Sequence, residues 1–184
     1  MKNTFNIIKN ESLEIIKTIK GKSLKGISID YGDQLNHTLS QMVVLHMEND
    51  TVSFWTTEIE NRPDEYPDLA EITVQKETEE RLKFLTERLV RFDICQKIVS
   101  IEEIIEHVTI TEPKEQPFIL TNTKAIIIHF DEKKLIMEKD CYWFECWSVT
   151  LLPKGEDYTF YDEWKEKADD DPATYQVTME HQFI

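Results

Sequence analysis

Ala125-Ile126-Ile127-Ile128-His129-Phe130, Asp131-Glu132-Lys133-Lys134 and Leu135-Ile136-Met137-Glu138 follow one another in a chain of 184 residues. An apolar run, a polar break and a returning apolar run have the form of a β-hairpin. After Glu138-Lys139-Asp140 comes the most aromatic run of the protein, Cys141-Tyr142-Trp143-Phe144-Glu145-Cys146-Trp147, continuing through Ser148 to Leu152. The three runs predict a meander of antiparallel strands over Phe118 to Leu152. In the last strand Tyr142, Phe144 and Cys146 share one face, and Cys141, Trp143, Glu145 and Trp147 the other. A sheet covered on one side exposes one of these sets as interface anchors, whereas a sheet covered on both sides buries both.

Working outward, Met42 to Met47 and Thr51 to Thr56 read as a second hairpin about Glu48-Asn49-Asp50, where Asn and Asp tolerate a tight turn. Laid on the first hairpin by a shift of 83 residues, Val43, Val44, Leu45 and His46 fall on Ile126, Ile127, Ile128 and His129. The pattern suggests an internal duplication with a pseudo-twofold axis, in halves 1–95 and 96–184. The competing explanation is that any two amphipathic hairpins look alike, since identities from Leu24 to Phe54 are limited to Ile27, Thr38 and His46.

Short strands are expected at Ile27 to Asp30, Ile72 to Val74 and Tyr175 to Met179. Leu13, Ile15, Ile16 and Ile19 suit either a helix or a strand. A helix is predicted from Glu77 to Phe92, where Leu82, Leu85, Leu89 and Phe92 form one stripe, with a strand from Val90 competing for its end. Ser100-Ile101-Glu102-Glu103 has the form of a capping box and predicts a second helix with Ile101, Ile104, Ile105 and Val108 inward. A further helical turn or two is expected before Asp169-Asp170-Asp171-Pro172. The fold class is therefore α+β, mainly antiparallel hairpins with one or two packed helices, in one domain over residues 1–184.

Charge narrows the function. Acidic residues outnumber basic ones by 36 to 21, a net charge of −15, which repels nucleic acid and anionic membranes and favours a basic protein partner or simple solubility. The first 30 residues carry six lysines against Glu11, Glu14 and Asp30, so the acidic excess lies downstream. No apolar stretch has the length of a signal peptide core or a membrane span, and three cysteines make no disulfide framework, so a cytoplasmic location is expected.

Chemistry is hard to find. With only four glycines there is no phosphate loop, and no zinc or metalloprotease motif occurs. No cofactor and no metal are expected, and Cys141 and Cys146, an odd separation apart in a strand, face opposite ways. His46 with Glu48 and His129 with Asp131 stand two apart at hairpin ends, a spacing that suits an acid-base pair or two ligands of a metal as well as ordinary polar strand faces. Glu103 and His107 would meet on one helix face. Two acidic stretches carry aromatic residues: Asp64, Glu65 and Asp68 in a loop that holds Tyr66 between two prolines, and Asp157, Tyr161 and Trp164 near the end. Both combine like charge with candidate anchors. These features imply a non-enzymatic binding module, of the inhibitor or immunity type, that blocks a basic protein such as a toxin. The alternative is an enzyme or small-ligand binder with a pocket formed by His46, His129 and nearby carboxylates.

If no metal supports the fold, a strong chelator leaves the melting temperature unchanged. A loss of several degrees in calorimetry would reveal a structural metal site.

Overall fold

A computed structural model describes residues 2–30, 32–58, 70–86, 88–139, 146–170 and 172–184. In chain order these form β1 (Lys2–Asn6), α1 (Asn10–Ile19), β2 (Ser23–Ile29), β3 (Thr38–Ser40), β4 (Met42–Met47), β5 (Thr51–Glu58) and β6 (Ala70–Lys76). Then come α2 (Glu79–Thr86), β7 (Val90–Lys97), β8 (Ser100–Thr111), β9 (Phe118–His129), β10 (Lys133–Lys139), β11 (Trp147–Pro153), α3 (Glu163–Asp170) and β12 (Thr174–Phe183). The fold is α+β, mostly antiparallel sheet with short helices. A seven-stranded sheet runs β12-β8-β9-β10-β11-β3, with β1 added beside β9, and a five-stranded sheet runs β6-β5-β4-β2-β7. No described helix is long and apolar enough to cross a membrane.

β9 is the axis of the larger sheet. One edge pairs along its length with β8. The other is shared: β10 takes Ala125 to His129, and β1 runs parallel beside Phe118 to Asn122. Alternation sends Ile126 and Ile128 to one face and Ala125 and Ile127 to the other, and all four are buried. The inner face meets the smaller sheet and α1 in one cluster that includes Ile16, Ile19, Ile27, Leu45, Phe54, Ile101, Ile126, Ile128, Met137 and Val149. On the outer face, Ile104, Ala125, Ile127 and Ile136 lie under Tyr158 and Phe160. Val108, Ile110 and Leu120 lie under Trp164 and Ala173.

Both expected hairpins are present, as β4–β5 and β9–β10. The stretch from Leu13 to Ile19 is helical, with Ile16 and Ile19 buried and the Ser12 hydroxyl accepting from the Val74 amide at 3.0 Å. Two helix expectations need correction. The helix from Glu77 to Phe92 is shorter, ending at Thr86, because Val90 to Lys97 joins the sheet beside β2. The capping-box segment is not a helix but β8. Its β-branched Ile101, Ile104, Ile105, Val108, Thr109, Ile110 and Thr111 favour a pleated backbone, and β9 and β12 supply ladders on both edges. A register shift between Ile104 and Ile105 leaves Lys124 of β9 as the extra residue of a β-bulge.

The two sheets follow the same chain path. β2-β4-β5-β6 and β8-β9-β10-β11 each lie in order, and each is followed by a helix and a strand that returns beside its first member, β7 next to β2 and β12 next to β8. This is a likeness of topology and does not show a duplication.

Phe54 is wholly buried at the meeting of the two sheets. Phe54→Ala should cost about 3–5 kcal/mol in urea unfolding. A loss below about 1 kcal/mol would mean that the sheets do not share this core.

Candidate functional site

The segment between β11 and α3 holds two of the residues singled out for binding, Asp157 and Tyr161, with Trp164 following in α3, and its position follows from a few anchors. Lys134 Nζ donates to the Glu156 carbonyl at 2.6 Å, and the Lys154 amide to the Glu132 carbonyl at 2.8 Å. The chain then crosses the outer face of the larger sheet. Tyr158 packs edge-on against Phe160 and stacks on His37. Its hydroxyl donates to Glu138 Oε2 at 2.6 Å, while the Tyr161 amide donates to Glu138 Oε1 at 2.8 Å. Burial, then the Glu138 carboxylate, raises the Tyr158 hydroxyl well above the usual phenol range. Asp162 caps α3 by accepting from the Lys165 amide at 3.1 Å.

Beneath this segment lies a buried ionic cluster that was not legible in the sequence. The bulge at Lys124 brings its ammonium 3.4 Å from Glu138 and 4.0 Å from Glu163. Lys139 Nζ donates to Asn122 Oδ1 at 2.5 Å and to the Ala70 carbonyl at 2.9 Å. Glu106 Oε2 accepts from the Trp164 indole at 3.0 Å. All of these side chains are buried. Three carboxylates thus face two ammoniums in a region poor in water. Burial raises the Glu106 pKa, and Lys124, the Trp164 hydrogen bond and Lys139 oppose that rise.

The named binding residues fare differently. Trp164 is corrected: at 1% exposure it is an anchor of the fold and not of a surface. Tyr161 is 43% exposed, and its hydroxyl donates to Glu166 Oε2 at 2.5 Å. Asp157 is exposed, as are Glu156, Asp162 and Glu166. Asp64, Glu65, Tyr66 and Asp68 lie outside the described residues, and so does the aromatic run from Cys141 to Glu145.

Neither expected His-carboxylate pair forms. His46 Nε2 lies 2.7 Å from Ser28 Oγ, and burial, then Arg91, lowers its pKa. His129 Nε2 meets Glu102 Oε2 at 2.8 Å, and His181 Nδ1 meets Glu102 Oε1 at 2.6 Å. His107 contacts Thr121 and Glu180 instead of Glu103, because residues four apart lie about 13 Å apart along a strand and about 6 Å along a helix. His46 alternates with the core residues Leu45 and Met47, and His129 with Ile128. The two histidines therefore stand on outer faces of different sheets and share no cleft. A cleft of about 340 Å³ beside α2 is lined by Trp55, Phe84, Leu85 and Arg88, among others, and by neither histidine. Among the described residues no group of His, Cys, Asp and Glu is arranged to hold a metal ion. Compared with known proteins, the chain matches no family model, no curated protein and no solved structure.

Two substitutions probe the buried cluster. Lys124→Met leaves buried carboxylates uncompensated and should destabilise the fold by about 3–5 kcal/mol in urea unfolding. Glu106→Gln acts in the opposite sense. Because its folded pKa is raised, the native state holds this proton to higher pH than the unfolded chain does. Stability therefore falls as pH rises from about 4.3 through the raised value. Glu106→Gln should match or exceed the parent in stability at neutral pH, with the difference shrinking in acid. Glu103, also raised by burial, retains part of the slope. Urea midpoints across the acidic range check this, and a variant less stable at neutral than at acid pH, relative to the parent, would contradict it.

Proposed function

We propose that this protein is a non-enzymatic acidic binding module that blocks a basic protein partner, in the manner of an inhibitor or immunity protein against a toxin. The observation that carries the reading is the segment from Glu156 to Glu166. Its exposed Glu156, Asp157, Asp162 and Glu166 surround the partly exposed Tyr161, while Tyr158 and Trp164 fasten it from below to Glu138 and Glu106. Carboxylates on a backbone already held in place lose little entropy on binding and steer a cationic partner at a distance. The net charge of −15 acts in the same direction. The Asp64, Glu65, Tyr66 and Asp68 loop belongs to the proposed face on its sequence, through like charge about a tyrosine between prolines. The separation of His46 from His129 counts against the alternative of a catalytic pocket shared by both.

The test uses capture from a native lysate at low and high salt, followed by association kinetics with the captured protein. A basic partner lost as salt rises is expected, since screening acts beyond about 10 Å at 0.1 M salt. Glu156→Gln with Asp157→Asn, and separately Asp64→Asn with Glu65→Gln and Asp68→Asn, should slow association and flatten its salt dependence without lowering the melting temperature. Unchanged rates and salt slopes in both variants would leave the acidic surface as a matter of solubility and overturn the reading.

A further inference from the structure

β12 forms one edge of the larger sheet, and its backbone is half committed. Its register with β8 is unbroken from Thr174 opposite Thr111 to Phe183 opposite Glu102, and the Ile184 amide donates to the Ile101 carbonyl at 2.9 Å. In an antiparallel ladder successive residues turn their N–H and C=O groups alternately towards and away from the neighbour. Ile184 fixes the phase: Thr178, Glu180 and Gln182 bond inward, and Val177, Met179, His181 and Phe183 direct theirs to the open side. No described strand pairs there. The same four side chains lie on the outer face, where Met179 and Phe183 are exposed.

Long open edges invite pairing unless charge, proline or distortion blunts them. Among the other described edges, β3 has three residues, and β7 carries Arg91, Asp93 and Lys97 with a bulge at Cys95, whose φ is 51°. β12 is ten residues long, and its only charged side chain, with histidine neutral, is Glu180. In a chain of net charge −15 it is a near-neutral strip, so two copies of this acidic protein can approach there without meeting carboxylate to carboxylate.

We infer that β12 pairs antiparallel with β12 of a second copy, joining the two larger sheets edge to edge about a twofold axis through Met179. This register matches outward backbone with outward backbone, as hydrogen bonding requires. It sets Val177 opposite His181 of the second copy, Tyr175 opposite its Phe183, and Glu180 opposite its Thr178. A twofold axis at Glu180 would instead place two carboxylates face to face. The inference is independent of the basic partner proposed above, because the Glu156 to Glu166 segment supplies no backbone to this edge.

Sedimentation velocity over a concentration series tests it with the full chain. The parent is expected to approach twice its monomer mass of 21.8 kDa as concentration rises. Met179→Pro removes an outward N–H and no ladder donor to β8, though its ring also fixes φ, and Met179→Lys keeps the donor but sets two ammoniums together on the axis. Both are expected to stay monomeric, with the parent's near-ultraviolet dichroism. Should Met179→Pro fail to fold, Met179→Lys alone decides. A parent that stays monomeric throughout overturns the inference. So does a dimer that survives Met179→Lys, or an edge that pairs only with a different protein.

Discussion

The constraint on which the rest depends is that β9 is apolar on both faces and paired along both edges. A strand with Ile126 and Ile128 on one side and Ala125 and Ile127 on the other exposes isoleucine unless both sides are covered. The smaller sheet and α1 cover the first side. On the second, among the described residues, the cover is the segment after β11 with Tyr158 and Phe160, and Trp164 of α3. The acidic stretch is therefore also a lid on a core, and its aromatic residues serve packing before they serve any partner.

That double duty accounts for the charges beneath it. A crossing segment has no ladder to satisfy its backbone, so the Tyr161 amide and Tyr158 hydroxyl need a buried acceptor, which Glu138 provides. A buried carboxylate in turn needs a counter-charge, and the bulge turns Lys124 towards it. Glu163 and Glu106 complete a cluster with one more acid than base, and the raised Glu106 pKa eases the mismatch. The exposed Asp157 and Tyr161 thus sit on a backbone whose position is set by interactions inside the sheet.

Apolar runs about a polar break made both hairpins legible, since each pairs segments close in sequence and has one turn to fix its register, and alternation alone marked the last strand, whose partner β8 lies far back in the chain. Ser100 to Thr111 was misread because Ser100-Ile101-Glu102-Glu103 has the letters of a capping box and serves equally as the opening of a strand. The choice fell to β9 and β12, far along the chain, whose ladders outweigh a local cap. Trp164 was misread for a related reason. Among acidic neighbours it resembles an interface anchor, but Glu106, 58 positions earlier, accepts its indole N–H and draws it inward. The His46 and His129 pairs failed because the carboxylate near in sequence was not the partner in space: His46 meets the Ser28 hydroxyl and His129 meets Glu102.

By itself the sequence determined the α+β class, the two hairpins, the acidic surface and the want of any recognisable catalytic motif, all properties of composition or of contacts within about a dozen residues. Only the tertiary structure decided that β8 is a strand, that Lys124 and Lys139 are buried beside Glu106, Glu138 and Glu163, and that Glu102 lies between His129 and His181. These depend on which distant strands become neighbours. A charged residue on an apolar strand carries no local mark of its partner, because its burial is tolerable only once another part of the chain supplies the opposite charge.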